Sequence, residues 1–156
     1  MVTADELRDV LRRQPTGISV VTVDAAGVRL GLTVGTLVSL SLAPPLVGVA
    51  VARQAALHEL LREAGGFGVS LLAAGQEGLA QHFARGVPPI ALWLGIAVRE
   101  GTRAPLLEGA VGWLECAVAA EHETGDHTFF VGAVERAETG AAGAALVRAG
   151  GEYAPQ

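Results

Sequence analysis

The chain has 156 residues, 51% of them hydrophobic, and a net charge of −5, which predicts one domain, residues 1–156, with its own core. It has no cluster of basic residues for nucleic acid and no apolar run of roughly 18 residues for a membrane span, so neither partner is expected. The acidic residues after Met1 and the single cysteine, Cys116, indicate a cytoplasmic protein without disulfides. Its high apolar content also favours burial against a second subunit.

The first half of the chain is predicted to alternate short strands with short helices. Apolar residues recur at helical spacing before Pro15, and β-branched residues flank the turn Asp24–Gly27, which predicts a helix followed by a hairpin. The elements expected here are a helix at Ala4–Arg13, strands at Gly17–Val23, Val28–Thr36 and Leu46–Val51, a helix at Ala55–Glu63, a strand at Phe67–Leu72 and a helix at Gln76–Ala84.

The second half of the chain is predicted to be mostly strand. A proline-containing loop is expected at Arg85–Pro89, and a glycine-rich tail begins at Ala149. Strands at Gly109–Glu121 and His127–Glu138, joined by the polar turn His122–Asp126, predict a second hairpin. Many short strands and few helices favour a mainly β barrel or sandwich over a doubly wound α/β fold.

The segment Thr33–Ser41 interleaves hydroxyl-bearing residues with aliphatic ones. In a continuously extended chain every second residue from Gly35 to Ser41 lies on one face. One interpretation is a ligand wall, in which Gly35 permits close backbone approach and Thr36, Ser39 and Ser41 offer hydrogen bonds to an anion. The other is an ordinary strand with exposed hydroxyls that leads into a turn.

Three basic or titratable side chains are further candidates for ligand contacts. His127 follows a tight turn at the start of a strand and can change charge near neutral pH, although it could equally be a turn histidine bonded to Asp126 or Thr128. Arg53 and Arg85 are candidate phosphate contacts, because arginine offers paired donors to phosphate oxygens. The alternative is that both are solvated surface charges. One cysteine and scattered histidines give no metal-ligand spacing, so no metal site is predicted.

Short motifs in a characteristic order run through nearly the whole chain. They are Pro15-Thr16-Gly17, Val20-Val21-Thr22, Gly31-Leu32-Thr33, Ser39 to Pro45, Phe67 to Leu72, Gln76, Phe83-Ala84, Pro105-Leu106-Leu107, Leu114-Glu115-Cys116, Gly125-Asp126-His127-Thr128, Gly132 with Val134, and Gly151 with Tyr153. This series resembles the flavin reductase-like domain family. The family consists of short-chain NAD(P)H:flavin oxidoreductases that supply reduced flavin to two-component monooxygenases. The resemblance implies a split β-barrel, of the Greek-key, FMN-binding type, with a few flanking helices, which forms a homodimer.

The same resemblance implies where the ligands bind. FMN or FAD would accept a hydride at its N5 atom from NADH or NADPH, with His127 as the catalytic residue on the nicotinamide side. The isoalloxazine ring would be lined by Thr33, Val34, Gly35, Thr36 and Leu37. The ribityl phosphate would be held by Ser39, Ser41 and the turn Arg53-Gln54-Ala55, and Arg85 is a further candidate phosphate contact.

The chain departs from the family pattern at two positions of the ring-contacting segment. Gly35 stands where the family has a polar side chain, and Leu37 stands where it has an aromatic one. Weak flavin binding is therefore expected. It is consistent with the predicted function, which is NAD(P)H-dependent reduction of free or loosely bound flavin that is supplied to a separate monooxygenase. The alternatives are a flavin-binding split-barrel protein without nicotinamide reductase activity and a catalytically inactive dimeric interaction subunit.

Overall fold

The computed structural model describes residues 1–141 and 143–155, and β-strands dominate it, as the sequence predicts. The helices are α1 (Ala4–Leu11), α2 (Ala56–Ala64), α3 (Glu77–Ala84) and α4 (Pro89–Leu92). The strands are β1 (Thr16–Gly17), β2 (Ser19–Ala25), β3 (Val28–Val34), β4 (Val38–Leu42), β5 (Pro45–Ala52), β6 (Gly66–Leu71), β7 (Val98–Glu100), β8 (Pro105–Leu107), β9 (Gly112–Thr124), β10 (His127–Thr139), β11 (Leu146–Ala149) and β12 (Glu152–Pro155). In the part of the chain that the structure describes, no helix has the length and apolar character needed to cross a membrane.

One seven-stranded antiparallel sheet organises the molecule, with the strand order β3-β2-β6-β9-β10-β5-β4. Both predicted hairpins are present in it, as β2–β3 and β9–β10. Two smaller sheets, β1-β11-β12 and β7-β8, flank it. Strands β5 and β10 are neighbours although far apart in sequence, and their pairing forms the surface of the candidate functional site.

Both hairpin turns are tighter than the sequence analysis predicts. Ala25 pairs with Val28, so the first turn consists of Ala26 and Gly27, whose φ angles of 52° and 90° suit a two-residue turn. In the second hairpin Thr124 pairs with His127, which leaves only Gly125 and Asp126 in the turn. The polar residues from His122 onward continue strand β9 because cross-strand hydrogen bonds override their turn-like composition.

Other segments depart from prediction where local pattern is weak. The first helix ends at Leu11 rather than Arg13, and Pro89 begins the short helix α4 at a position where proline is favoured, so it is not part of a loop. The glycine-rich tail forms the hairpin β11–β12. Strands β7 and β8 are too short for periodicity to reveal them.

The segment predicted as one extended strand through Thr36 is interrupted. Strand β3 ends at Val34, and β4 begins at Val38. Ser39 pairs with Val47 and Ser41 pairs with Leu46, so Leu40 is an extra, bulged residue. Because neighbouring residues of β5 point to opposite faces, the register places Ser39 and Ser41 on opposite faces too. The prediction that alternate residues from Gly35 to Ser41 share one face is therefore wrong.

The core lies under the inner face of the sheet, where helix α2 packs through Leu57 and Leu61. Its largest fully buried side chains include Phe67 and Phe130. Gly65 ends α2 in a left-handed conformation, with φ at 69°, which glycine adopts without strain. Helix α1, in contrast, has no buried residue.

Cys116 lies within this core, and its thiol is expected to be unreactive. Its side chain is completely buried, and burial among apolar groups raises its pKa to about 12. Since the thiolate is the nucleophile, the native protein should not react with a thiol reagent at about pH 8. The assay mixes the native protein with an aromatic disulfide reagent and follows the absorbance of the thiolate that the reagent releases when it reacts. Full reaction in concentrated guanidinium is the control, and rapid labelling of the native protein would contradict the expectation.

Candidate functional site

Small residues form the outer face of strand β5. Val47, Val49 and Val51 alternate along the strand with Gly48, Ala50 and Ala52. Val49 and Val51 are fully buried, whereas Ala50 and Ala52 are only partly covered. Since successive side chains of a strand point to opposite faces, Gly48, Ala50 and Ala52 share the flat outer side of β5, where Gly48 is buried and Ala50 and Ala52 stay partly accessible. We call these three residues the small-residue face.

Phe129 of β10 borders this face. It pairs with Ala50, and its ring lies across Gly48, where a Cβ atom would overlap the ring. Position 48 therefore needs glycine for the ring to lie flat on the strand. The resulting surface is apolar and shallow and has an aromatic ring at one side, which suits a planar ligand.

The loop between β3 and β4 is fixed to the small-residue face by Thr36. The Thr36 hydroxyl donates to the Ala50 carbonyl at 2.9 Å and accepts from the Ala50 N–H at 3.2 Å. Behind it, a Cβ atom on Gly35 would lie 3.0 Å from Thr16 Oγ1. The missing side chain at Gly35 therefore leaves room for Thr16. Leu37 points inward and packs against the core.

The turn after β5 carries a positively charged group beside a helix N-terminus. The Arg53 N–H donates to the Asp126 carbonyl at 2.9 Å, and its guanidinium donates to the Gly125 carbonyl at 3.2 Å. Ala55 precedes α2 at its N-cap position and provides no side-chain cap. Arg53 and Gln54 line a cavity here, and the exposed N–H groups of a helix start favour an anion.

His127 lies at the same end of the face, directly opposite Ala52. Its Nδ1 is 2.6 Å from Asp126 Oδ1, and this hydrogen bond lowers the pKa of the Asp126 carboxyl group. An ionised carboxylate only accepts, so Nδ1 carries the proton and Nε2 is left for a ligand. The hydrogen bond of the turn interpretation is therefore present in a residue that also borders the face.

A buried histidine beneath this surface joins α2 to β10. His58 Nε2 lies 2.7 Å from Thr128 Oγ1, and Nδ1 lies 3.1 Å from Glu59 Oε1. The carboxylate accepts from Nδ1–H, so Nε2 accepts from the Thr128 hydroxyl. Because Thr128 follows His127, this bond couples the Arg53 turn to the strand that carries His127.

Comparison with known proteins identifies the family. Residues 11–155 match the family described as flavin reductase like domain. The chain belongs to this family. The resemblance drawn from its ordered motifs is confirmed, and the residues matched cover almost the whole chain.

Individual relatives are similar over most of their length. An NADH-dependent FAD reductase from Streptomyces globisporus is 39% identical over 155 residues, covering 95% of this chain and 83% of the relative. The reductase component of 4-hydroxyphenylacetate 3-monooxygenase from Thermus thermophilus is 40% identical over 143 residues, covering 92% and 90%. A solved NADH:FAD oxidoreductase from Streptomyces globisporus, in complex with NAD and FAD fragments, superimposes with a TM-score of 0.91 at 37% identity, covering 99% of this chain and 94% of that one.

The structure brings some of the predicted flavin-contacting residues together. Thr36, the Arg53-Gln54-Ala55 turn and His127 surround the small-residue face, whereas Thr33 and Val34 lie in the preceding strand. There the Thr33 hydroxyl donates to the Ala80 carbonyl of α3 at 2.6 Å, and Val34 is buried.

Ser39, Ser41 and Arg85 lie apart from that group. Ser41 is opposite Leu46, seven residues before Arg53, which is about 23 Å along an extended strand. One phosphate therefore cannot contact both Ser41 and Arg53, and Ser39 faces the other side of the sheet. Among the described residues, the side-chain partner of Arg85 is Gln81, at 3.5 Å.

The small-residue face, Phe129 and His58 were not predicted from the sequence. Strict alternation of valine with glycine or alanine from Val47 to Ala52 was the available signal for the face. It carries no reactive group, so it suggests a strand and nothing more. His58 is on a helix, and only the tertiary fold places it beside Thr128.

Proposed function

We propose that this chain is an NAD(P)H-dependent flavin reductase in which the isoalloxazine ring of FMN or FAD lies on the small-residue face. The observation that carries the proposal is a flat apolar face bordered by Thr36, Arg53 and His127, in a chain that belongs to the flavin reductase like domain family. Two relatives of about 40% identity support it: one is an NADH-dependent FAD reductase, and the other is the reductase component of a monooxygenase.

The residues of this face fit a flavin. The small-residue face lets a planar ring approach the backbone, and Phe129 places an aromatic ring at its border. A bound flavin and a nicotinamide would supply the hydride chemistry, and the residues of the face would bind and orient the two ligands. Thr36 positions the loop beside the ring, Arg53 and the start of α2 hold the phosphate, and His127 presents Nε2 to the nicotinamide side.

Oxidation of NADH and NADPH, followed by absorbance with FMN or FAD added, tests the activity. Turnover that depends on added flavin is the expected result, because a shallow face with no side chain at Gly35, and with Leu37 turned inward to the core, binds flavin loosely. Absence of turnover at saturating flavin would contradict the proposal. A yellow purified protein without turnover would instead support flavin binding without reductase activity.

The phosphate contact gives a sharper test. Arg53→Gln is expected to raise the Kd for FMN about 10-fold, since a charge-assisted hydrogen bond is lost, and to leave binding of riboflavin, which has no phosphate, unchanged. Fluorescence titration measures both. Arg85→Gln removes the same charge from the other candidate and is the matched control. A loss for Arg85→Gln alone would assign the phosphate to Arg85.

The chain is further proposed to work as a single domain, as a homodimer and with a separate flavin-dependent monooxygenase. Exposed apolar side chains on β4, an end strand of the sheet, support the dimer, because such an edge needs cover. They are Val38, Leu40 and Leu42, with relative exposures of 43%, 45% and 89%. The Thermus relative's role as a reductase component supports the monooxygenase. A cytoplasmic location, consistent with a free thiol at Cys116, belongs to the same proposal.

A further inference from the structure

A groove separates helix α1 from the hairpin β11–β12. It has a volume of about 520 Å³, within the range of small-molecule sites. Leu7 and Leu11 give it an apolar wall, and both side chains are 53% exposed. The backbone bond from the Gly150 N–H to the Arg12 carbonyl, at 2.7 Å, holds α1 in place over it. The fold therefore maintains a cavity with an uncovered apolar side.

Arginines concentrate in this groove. The chain carries a net charge of −5, and all 11 of its basic residues are arginine, yet Arg8, Arg12 and Arg148 line this one cavity. Arg8 pairs with Asp5. Within residues 1–141 and 143–155, neither Arg12 nor Arg148 has a carboxylate partner. Among the described residues that line the groove, Asp126 is the one carboxylate beside three arginines, so the groove is positively charged in an otherwise acidic protein and favours an anionic ligand with several oxygens.

The groove adjoins the small-residue face. Asp126, which accepts from His127, lines both this groove and the cavity beside Arg53. Thr16 also lines the groove and pairs with Arg148, and a Cβ atom on Gly35, next to Thr36, would lie 3.0 Å from Thr16 Oγ1. A ligand in the groove therefore reaches the end of the face where His127 lies.

We propose that this groove binds the adenosine diphosphate half of a dinucleotide whose other half reacts at the small-residue face, an inference that rests on the proposed function. The arginines pair with the two phosphates, and the leucines of α1 pack against the flat aromatic face of the base. Both NAD(P)H and FAD contain this half. The proposal therefore assigns the adenosine diphosphate group to the groove, and experiment decides which of the two dinucleotides supplies it.

Calorimetric titration with ADP, without any flavin or nicotinamide, tests the groove itself. ADP should bind the wild-type protein, and Arg12→Gln combined with Arg148→Gln should raise its Kd at least about 10-fold. Arg13→Gln is the matched control: Arg13 is exposed, adjoins Arg12 and does not line the groove. Its effect should stay within about 2-fold, since only long-range charge is removed. Absence of ADP binding to wild type, or equal binding by the double variant, would overturn the proposal.

Steady-state kinetics identifies which dinucleotide, NAD(P)H or FAD, occupies the groove. If the groove holds the donor, the double variant loses kcat/KM about 10-fold for NADH but not for reduced nicotinamide mononucleotide, with FMN as acceptor. If it holds the acceptor, the loss is seen with FAD and not with FMN. Equal losses for the full and truncated substrates would overturn the proposal. Wild-type protein that binds ADP but reduces no flavin would contradict the proposed function and leave the ADP site standing.

Discussion

Replacing Ala50 by leucine is expected to raise the Kd for flavin at least about 100-fold, which is about 3 kcal/mol. Ala50 is in the middle of the small-residue face, between Phe129 and the Thr36 loop. A leucine side chain there lifts a planar ring from the strand, and a gap of even ~1 Å forfeits up to about half of the dispersion attraction of each contact. Fluorescence titration with FMN and FAD measures the loss.

The fold of this variant should be intact, because the added side chain projects away from the core. Ala50 keeps its backbone bonds to Thr36 and to β10, so circular dichroism and melting temperature should match the wild type. Ala119→Leu adds the same bulk at the exposed, unpaired residue of the β9 bulge and is the matched control. Undiminished flavin binding by Ala50→Leu would place the ring elsewhere.

Phe130→Ala is expected to lower the free energy of unfolding by about 3–5 kcal/mol, because replacing a buried phenylalanine by alanine leaves a cavity in the core. Phe130 is fully buried, with its ring centroid 5.5 Å from that of His58. Because domains of this kind are stable by only about 5–15 kcal/mol, the loss is a large share of the total. Urea titration followed by circular dichroism measures it, with the slope of the transition unchanged.

Phe129→Ala is the matched comparison, since the two phenylalanines are adjacent and point to opposite faces of β10. Phe129 is only partly buried, so its removal should cost less stability than that of Phe130. It borders the small-residue face, so its removal should weaken flavin binding more. Equal stability losses for the two variants would contradict the assignment of core and ligand faces.

Local sequence signals were sufficient for the two long hairpins. Strand-favouring runs on both sides of the glycines at 27 and 125 encode each of them within about 30 residues. The same signals failed for β7, β8 and the terminal hairpin, because short or glycine-rich segments become strands only through their partners.

Some residues of the candidate site could likewise be predicted from local sequence, and others could not. Arg53 and His127 could be named from the sequence because each follows or precedes a recognisable strand end. Ser39 and Ser41 could not be assigned to the correct faces, because a bulge at Leu40 changes the register and leaves no local mark. The outer face of β5 became visible only when β10 and the Thr36 loop were placed beside it.

The flavin reductase-like family, the mainly β fold and the reaction class were determined by the sequence itself, since they depend on motifs whose order along the chain is preserved. The tertiary structure alone decided which residues meet. Pairing of β5 with β10 puts Ala52 opposite His127, and the close contact of Thr16 with Gly35 joins the arginine groove to that surface. These are contacts between segments distant in sequence, and no local pattern of residues specifies them.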